Sequence, residues 1–511
     1  MRNHRFTSAA ALWLAISTGC GSALSTAKLT AANRDAFDVQ VRRVAADTAL
    51  TAPGAQAPAA AAAPGGGPAA PAAAVAAGPA PETGQGNARS TSPGAAPGAA
   101  AGPGAPRAEP ARSDPGKTTV PGPAASLPAP ANPGAAPTTG AGEVRLGSVG
   151  VETGPLGAVM LPLLQAAKAW TADVNSRGGL GGRPVRLLLG DDAGDPGRSL
   201  ALVRRMVEQD KVQAIFAERM PTTLQAVTSY LEEKQIPVIG ANAGNPVIDE
   251  SPMVFQVGVG ARDGTHWAHI LPITQQTDKR KIALLYCREV QTCSVLQDGI
   301  TRLQSQSGIT IVYKAQVSIA QPDYTAEMIS ARNAGAEVVL WIGDVPTMIR
   351  MARSAHRQGY SPIFAGPHSM PDDRLLKDGG QDIEGLLASN AVVPYATSPR
   401  LADYRAAIAR YVPGGVLSSM GSMSWAAGKM IEAVARSFGT GEVTSQAFLS
   451  GLYGLRGETL GGVVPPTTYE PNVGHGKTNQ CVTLVKVVGG KWVPDGDDQF
   501  FCAPGWKPVG R

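Results

Sequence analysis

The stretch Asn175–Pro196, NSRGGLGGRPVRLLLGDDAGDP, decides the reading of the fold. It opens at the end of an amphipathic run and stops at the glycine cluster Gly178–Gly182. It continues as PVRLLLGDD, a short apolar run bounded by turn residues that reads as a strand. Asp195 and Pro196 then start a helix. An Asp side chain can accept from the free amides of a first turn, and proline at the first helical position lacks only a hydrogen that would go unused there. Leu200, Val203 and Val207 recur on one face of that helix. Helix, turn, strand and helix in succession form the repeating unit of a parallel sheet covered by helices.

The same alternation runs outward through the chain from Glu143. EVRLGSVG, PVRLLLGDD, VQAIFAE and IPVIGA form one group of strands, and KIALLYC, ITIVYKA, EVVLWIG and PIFAG a second. A further helix begins at Thr222 or Thr223, with Leu224, Val227 and Leu231 facing inward. The fold class expected is α/β with two lobes, each a parallel sheet flanked by helices. Residues 143–260 form lobe 1 and 261–393 lobe 2. After Pro394 the helices YRAAIARY and MSWAAGKMIEAVARSF return the chain to lobe 1 as far as about 465. Residues 466–511, with the late strand CVTLVKVV, rejoin lobe 2. Several crossovers make a hinge, and closure about a hinge is how two lobes enclose a small molecule. In open α/β sheets ligands bind at the carboxyl ends of the strands.

The chain has 511 residues, a formal net charge of +5 and 5% aromatic residues, but these averages conceal a division. From about Thr51 to Gly142 it is almost wholly Ala, Pro and Gly, without apolar periodicity, and cannot bury a core. About 370 residues remain from Glu143 onward, enough for two lobes. Basic residues are scattered among acids, which argues against a nucleic-acid surface.

The first residues, MRNHRFTSAAALWLAISTGCGSA, join a basic segment (Arg2, Arg5) to an apolar run and then small residues, as in an export signal over residues 1–20. The run from Phe6 to Ile16 is too short to span a bilayer, and no later segment is long and apolar enough. Anchoring therefore falls to Cys20. Thr18 and Gly19 before Cys20 resemble a lipoprotein cleavage site, although Ser17 stands where such sites usually carry Leu; cleavage after Ala23 would instead discard Cys20. With a lipid on Cys20, residues 21–142 form a disordered tether of roughly 120 residues with a span on the order of 60 Å. The other cysteines, Cys287, Cys293, Cys481 and Cys502, suit two disulfides in an oxidising compartment, with the connectivity open.

Signatures of catalysis are weak. The glycine cluster follows a helix and precedes a strand, the reverse of a dinucleotide fingerprint, and there is no phosphate loop. Ser422 and Ser424 in GSMSWAAG lack the spacing of a nucleophile elbow. No Cys/His spacing suits zinc. His266 and His269 could ligate a metal from one helix face, but a solvated or hinge-facing pair is the simpler reading. Asp191 and Asp192 could act as acid and base, yet turn chemistry explains the neighbouring Asp195 better. No catalytic residue, metal or cofactor is expected.

A set of segments in order supplies a family resemblance. These are TGPLG from Thr153, the opening stretch from Asn175, PTTLQAV from Pro221, IPVIGANAGNP from Ile236, DYTAEM from Asp323 and AGAEVVLWIGD ending at Asp344. Together they resemble the branched-chain amino-acid-type substrate-binding proteins of ABC importers, over essentially Glu143 to about Val493. The resemblance implies a type I periplasmic-binding fold, and a monomer that carries a small solute to a membrane permease with cytoplasmic ATPase subunits. It implies ligand contacts from Glu152, Thr153 and Gly154, from Thr222 and Thr223 at a helix start, and from Asn242, Ala243 and Gly244. From the second lobe it implies Gln291, Tyr324 and the segment from Asp344 to Thr347. A helix N-terminus offers unpaired amides and partial positive charge, so an anionic group fits at Thr222 and Thr223, although simple N-capping would also explain them.

The departures from the family matter too. Amino-acid binders of this type commonly have a hydroxyl near Gly244, an aromatic near Gln291 and a carboxylate near Thr347, and all are missing. A buried ammonium without a counter-charge is costly, so an α-amino acid requires Asp344 or Glu152 as substitute. Amides and organic acids are the other candidates. Cys287 and Cys293 flank Gln291, so a disulfide there would shape that wall or serve only as a staple. A tethered sensor or a cell-wall lipoprotein without a transport partner is the alternative.

Overall fold

The strand β1 (Val144–Gly150) is buried along almost its whole length because a strand pairs on each side of it. The computed structural model describes residues 142–507 except 155, 218, 241–246, 260–261 and 476–477, and no side chains at 262–263. Cys20, the export signal and the tether thus lie outside the described residues, as do Asn242, Ala243 and Gly244.

After β1 come α1 (Gly157–Ser176), β2 (Val185–Asp191), α2 (Pro196–Glu208), β3 (Ala214–Phe216), α3 (Leu224–Lys234), β4 (Val238–Ile239), α4 (Val247–Glu250) and β5 (Val254–Phe255). Among the described residues they build a five-stranded parallel sheet in the order β2-β1-β3-β4-β5. β5, two residues long, gives no pattern that a sequence reading could detect. The start of α2 is as read: Asp195 Oδ1 accepts from the Arg198 amide at 2.6 Å. Its buried stripe is Ser199, Val203 and Met206, with Leu200 and Val207 only half buried. On α3 the apolar residues Leu224, Val227 and Leu231 are all buried.

α5 (Arg262–Gln276) then leads into β6 (Lys281–Cys287), α6 (Gln291–Arg302), α7 (Gln304–Ser307), β7 (Thr310–Val317), α8 (Thr325–Asn333) and β8 (Val338–Ile342). These are followed by α9 (Val345–Arg357), β9 (Ile363–Gly366), α10 (Asp373–Gly379) and β10 (Leu387–Asn390). The strands β7, β6, β8, β9 and β10 pair parallel in that order. Next, α11 (Ala402–Tyr411) and α12 (Ser419–Ala435) pack back on α1, and α13 (Ser445–Gly454) on α12. Gly428 permits this: a Cβ there would come within 2.5 Å of the Trp170 indole. Trp170 in turn meets Phe216 edge-on, ring centres 4.8 Å apart, and donates to Glu432 Oε1 at 2.9 Å.

The chain finally adds β11 (Cys481–Val488), β12 (Lys491–Asp495) and β13 (Phe501–Cys502) to the second sheet, all antiparallel. That sheet is therefore parallel as far as β10 and antiparallel beyond: β11 returns beside β10 after α11–α13, and β11 and β12 then form a hairpin. The cysteines pair as Cys287–Cys293 and Cys481–Cys502.

The links between the two sheets lie side by side. Gly258, at φ +98°, sits where a Cβ would be 2.9 Å from Ala391 O. Asn479 Nδ2 donates to Gly258 O at 2.6 Å, and the Val393 amide donates to Val463 O at 3.1 Å. Segments after β5, after β10 and before β11 thus touch one another where the chain passes between the sheets. No helix among the described residues is long and apolar enough to cross a membrane.

Candidate functional site

α1 follows β1 and α10 follows β9, so the starts of these helices mark the carboxyl ends of the two sheets. They meet: Arg374 Nη1 donates to Ala158 O at 2.9 Å. Beside this contact the Asp373 amide donates to Leu417 O at 3.0 Å, and the Ser419 amide to Pro371 O at 2.8 Å. The candidate site is the space between these ends, where loops offer polar groups on rigid strands.

The first wall is a closed network. Gly150 brings the ends of β1 and β3 together, since a Cβ there would be 2.2 Å from Arg219 O. Arg219 is fully buried. Its Nη2 meets Glu152 Oε1 at 3.0 Å, and its other nitrogens reach Ser148 Oγ and Val151 O at 3.4 Å. The Glu152 amide donates to Asp191 Oδ1 at 3.0 Å, and Thr153 Oγ1 donates to Asp191 Oδ2 at 2.7 Å. Burial by itself would raise the Asp191 carboxyl, but donors from Glu152, Thr153 and Ala193 outweigh it and hold the pKa at about 2. Asp191 is therefore an ionised turn anchor. Gly154 accepts from the Gly157 amide at 3.1 Å as the chain enters α1.

Thr223 is buried and donates to Asp192 Oδ2 at 2.6 Å, while the Gly194 amide donates to Asp192 Oδ1 at 2.9 Å. Although Thr223 occupies the N-cap position of α3, its side chain makes no capping bond. The hydroxyl ties two strand ends together instead, a role that choosing between capping and binding did not consider. Thr222 is exposed at the rim.

The second wall is less complete. The Cys287–Cys293 disulfide closes the turn between β6 and α6, and Gln291 is exposed within it. Glu289 in that turn accepts from Ser318 Oγ at 2.5 Å and the Ile319 amide at 3.1 Å, which binds the turn to the loop after β7. Tyr324 is placed in the core. It is fully buried, and its hydroxyl donates to Ser318 O at 2.7 Å. This corrects the expectation of a cleft-wall aromatic: the ring packs under the loop.

Asp344 occupies the N-cap position of α9 without a side-chain capping bond, and its Oδ1 has no protein partner. Burial raises its pKa, with Thr347 and Arg350 pulling the other way. Thr347 is buried and accepts from Arg350 Nη2 at 2.8 Å.

Sequence reading missed two residues here. Arg219 lies three residues past the end of β3, and His368 two residues past the end of β9. His368 is buried, and its Nδ1 has no protein partner. Burial, with nearby His269 adding to it, lowers the His368 pKa to about 3. Applying the strand-end rule to every strand, rather than to those with a family counterpart, would have found both.

His266 and His269 are buried on α5, which removes the solvated half of the solvated or hinge-facing reading; His269 Nδ1 lies 2.7 Å from Thr265 O, and burial lowers its pKa to about 4. Among the described residues no group of three or more His, Cys, Asp or Glu could hold a metal ion. The arrangement can orient and hydrogen-bond a solute.

Two lobes with α/β sheets meeting at their carboxyl ends define a bilobal ligand-binding protein, and comparison with known proteins agrees. A family model described as periplasmic binding protein matches residues 143–491. The chain belongs to that family, its fold is the type I periplasmic-binding fold, and its similarities run to the branched-chain amino-acid type. An amino acid binding protein of Pseudomonas aeruginosa is 23% identical over 283 residues, 53% of this chain and 72% of that one. The leucine-specific-binding protein of Salmonella typhimurium is 22% identical over 253 residues, 49% of this chain and 67% of that one.

Among solved structures, a branched-chain amino acid ABC transporter protein from Thermus thermophilus with bound valine superposes with a TM-score of 0.63. It is 18% identical and covers 71% of this chain and 98% of its own. A fatty acid ABC transporter substrate-binding protein from Thermomonospora curvata gives 0.58 at 16% identity, over 71% and 93%. The family is one of solute-binding proteins, and membership implies an extracytoplasmic location.

Proposed function

We propose that this protein is the extracytoplasmic solute-binding component of an ABC importer, without catalytic activity of its own. It traps a small polar solute between two closing lobes and delivers it to a membrane permease with cytoplasmic ATPase subunits. The lobes are residues 143–260 with about 394–465, and 261–393 with about 466–511. A lipid on Cys20 holds the protein at the outer face of the cytoplasmic membrane, residues 21–142 serve as the tether, and the protein acts as a monomer.

The observation that carries this reading is the family match across both lobes together with an unpartnered carboxylate oxygen, Asp344 Oδ1, at a strand end. Glu152 Oε1 already pairs with Arg219, whereas Asp344 Oδ1 has no protein partner. Asp344 is then the group that receives the ammonium of an amino acid or the N–H of an amide, and these classes come before organic acids. Glu152, Thr153, Gly154 and Thr222 contribute from the first wall and Gln291 from the second, and Asn242, Ala243 and Gly244 contribute as the family resemblance implies. Thr223 supports them through Asp192.

A thermal-shift screen of the full chain against amino acids, amides, polyols, nucleosides and small organic acids tests the reading. A melting temperature that rises with the concentration of one class is expected, as linkage requires. A flat response from folded protein across the panel contradicts it. The length of the Ala/Pro/Gly segment favours a second reading, a tethered sensor. Solute-dependent capture of a signalling membrane protein in place of a permease would select it.

A further inference from the structure

The family match ends at residue 491, and the chain continues. Beyond it, β13 returns to pair with the start of β11, Cys481 opposite Cys502, and the disulfide between them fixes the return. The Ala503 amide also donates to Gln480 O at 2.9 Å. Between β12 and β13 the turn carries Asp498 onto the segment that leads from β10 to α11. There Asp498 Oδ2 accepts from Ser398 Oγ at 3.0 Å and pairs with Arg400 Nη1. Arg400 lies against the segment before β11 as well, since a Cβ on Gly462 would be 2.6 Å from its Nε. Pro494, Asp498 and Phe500 face Pro399, Arg400 and Pro465 across a groove of about 650 Å³.

We propose that residues 496–503 form a strap across the hinge. The Asp498 clasp on Ser398 and Arg400 stabilises the described arrangement of the lobes against a more open one. The inference rests on the two-lobe partition above, which puts Asp498 in one lobe and Ser398 and Arg400 in the other. The geometry gives the strap two different ends. One is covalent, at Cys481–Cys502 within the second sheet, and does not change as the lobes move. The other is an ion pair and hydrogen bond, which can break and re-form. A covalent anchor behind a breakable clasp limits how far the hinge opens without preventing it, and so biases the lobes toward the described arrangement in the absence of solute.

Pulsed electron–electron resonance on the full chain tests this, with spin labels on Ala201→Cys and Ser305→Cys, both exposed and one on each side of the hinge. In solute-free protein Asp498→Ala is expected to raise the ratio of long to short interlobe distances about two- to five-fold, the range for losing a partly exposed ion pair. Asp498→Asn, which keeps an acceptor for Ser398, should shift it less. The exchange of Arg400→Asp with Asp498→Arg should restore the original distribution. An unchanged distribution in folded Asp498→Ala, or an exchange that leaves it shifted, overturns the proposal. Because no solute is present, a strap that fails here leaves the solute screen unaffected. A protein that binds nothing yet shifts its distances keeps the strap and loses the transport reading.

Discussion

The two walls of the cleft differ in how their polar groups are satisfied. On the first wall Glu152 meets Arg219, Asp191 gathers the Glu152 and Thr153 donors, and Asp192 holds Thr223 and Gly194. Charges there serve one another. On the second wall Asp344 Oδ1 and His368 Nδ1 lack protein partners, and at the end of β10 the buried Asn390 amide is unpartnered at both atoms. A buried polar atom left unpaired destabilises the fold, so it persists where something else is gained from it. The first wall thus fixes geometry, and the second is the one we propose supplies recognition.

The largest effect should come from the first wall. Arg219→Met removes the cation from a buried pair and should cost about 2–3 kcal/mol in urea unfolding, with any binding defect secondary to the lost stability. A variant as stable as the parent would break the distinction between the walls. Thr223→Val leaves Asp192 short of its donor and should cost about 1–2 kcal/mol. If Thr223 instead touched solute alone, stability would hold and affinity would fall.

Acidification is a third probe. His269 and His368 have folded pKa values lowered from 6.5 to about 4 and about 3, so the folded state binds fewer protons than the unfolded chain. Their stability is fully present above pH 6.5 and is lost as pH falls from there toward those values. Melting temperatures should decline across that window before Asp191, lowered from 3.8 to about 2, adds its own loss below pH 3.8. His368→Gln should flatten the decline, and an unchanged slope would show that His368 is not the neutral buried base described. The smallest effect belongs to Gln291→Ala on the exposed turn, within about 0.5 kcal/mol in stability.

Much of this fold was legible in the chain because parallel strands buried on both faces are continuous apolar runs and helix starts carry their own chemistry. VRLGSVG and KIALLYC became β1 and β6, and Asp195 with Pro196 opened α2. The two residues of β5, and β10 within LASN, gave too little pattern to read. The site was less legible for a physical reason. Local sequence shows which residues follow a strand, but not which of them find partners across the sheet. Arg219 and Glu152 are far apart in the chain, so neither reveals that the other neutralises it. Tyr324 likewise carries no sign that its hydroxyl is taken up by Ser318 O. His269 on α5 looked polar because hydropathy assigns His to the surface, whereas burial lowers its pKa and leaves it neutral.

The most direct test is calorimetric titration of the solute found by screening into the full chain and into Asp344→Ala. If Asp344 receives the ammonium or amide of the solute, the variant should fold with stability close to the parent, because removing the unpartnered Oδ1 offsets the loss of the Thr347 contacts. Its affinity should fall about ten- to hundred-fold, the range for losing a hydrogen bond to a charged group. Equal affinity in the two proteins would contradict the assignment of recognition to the second wall.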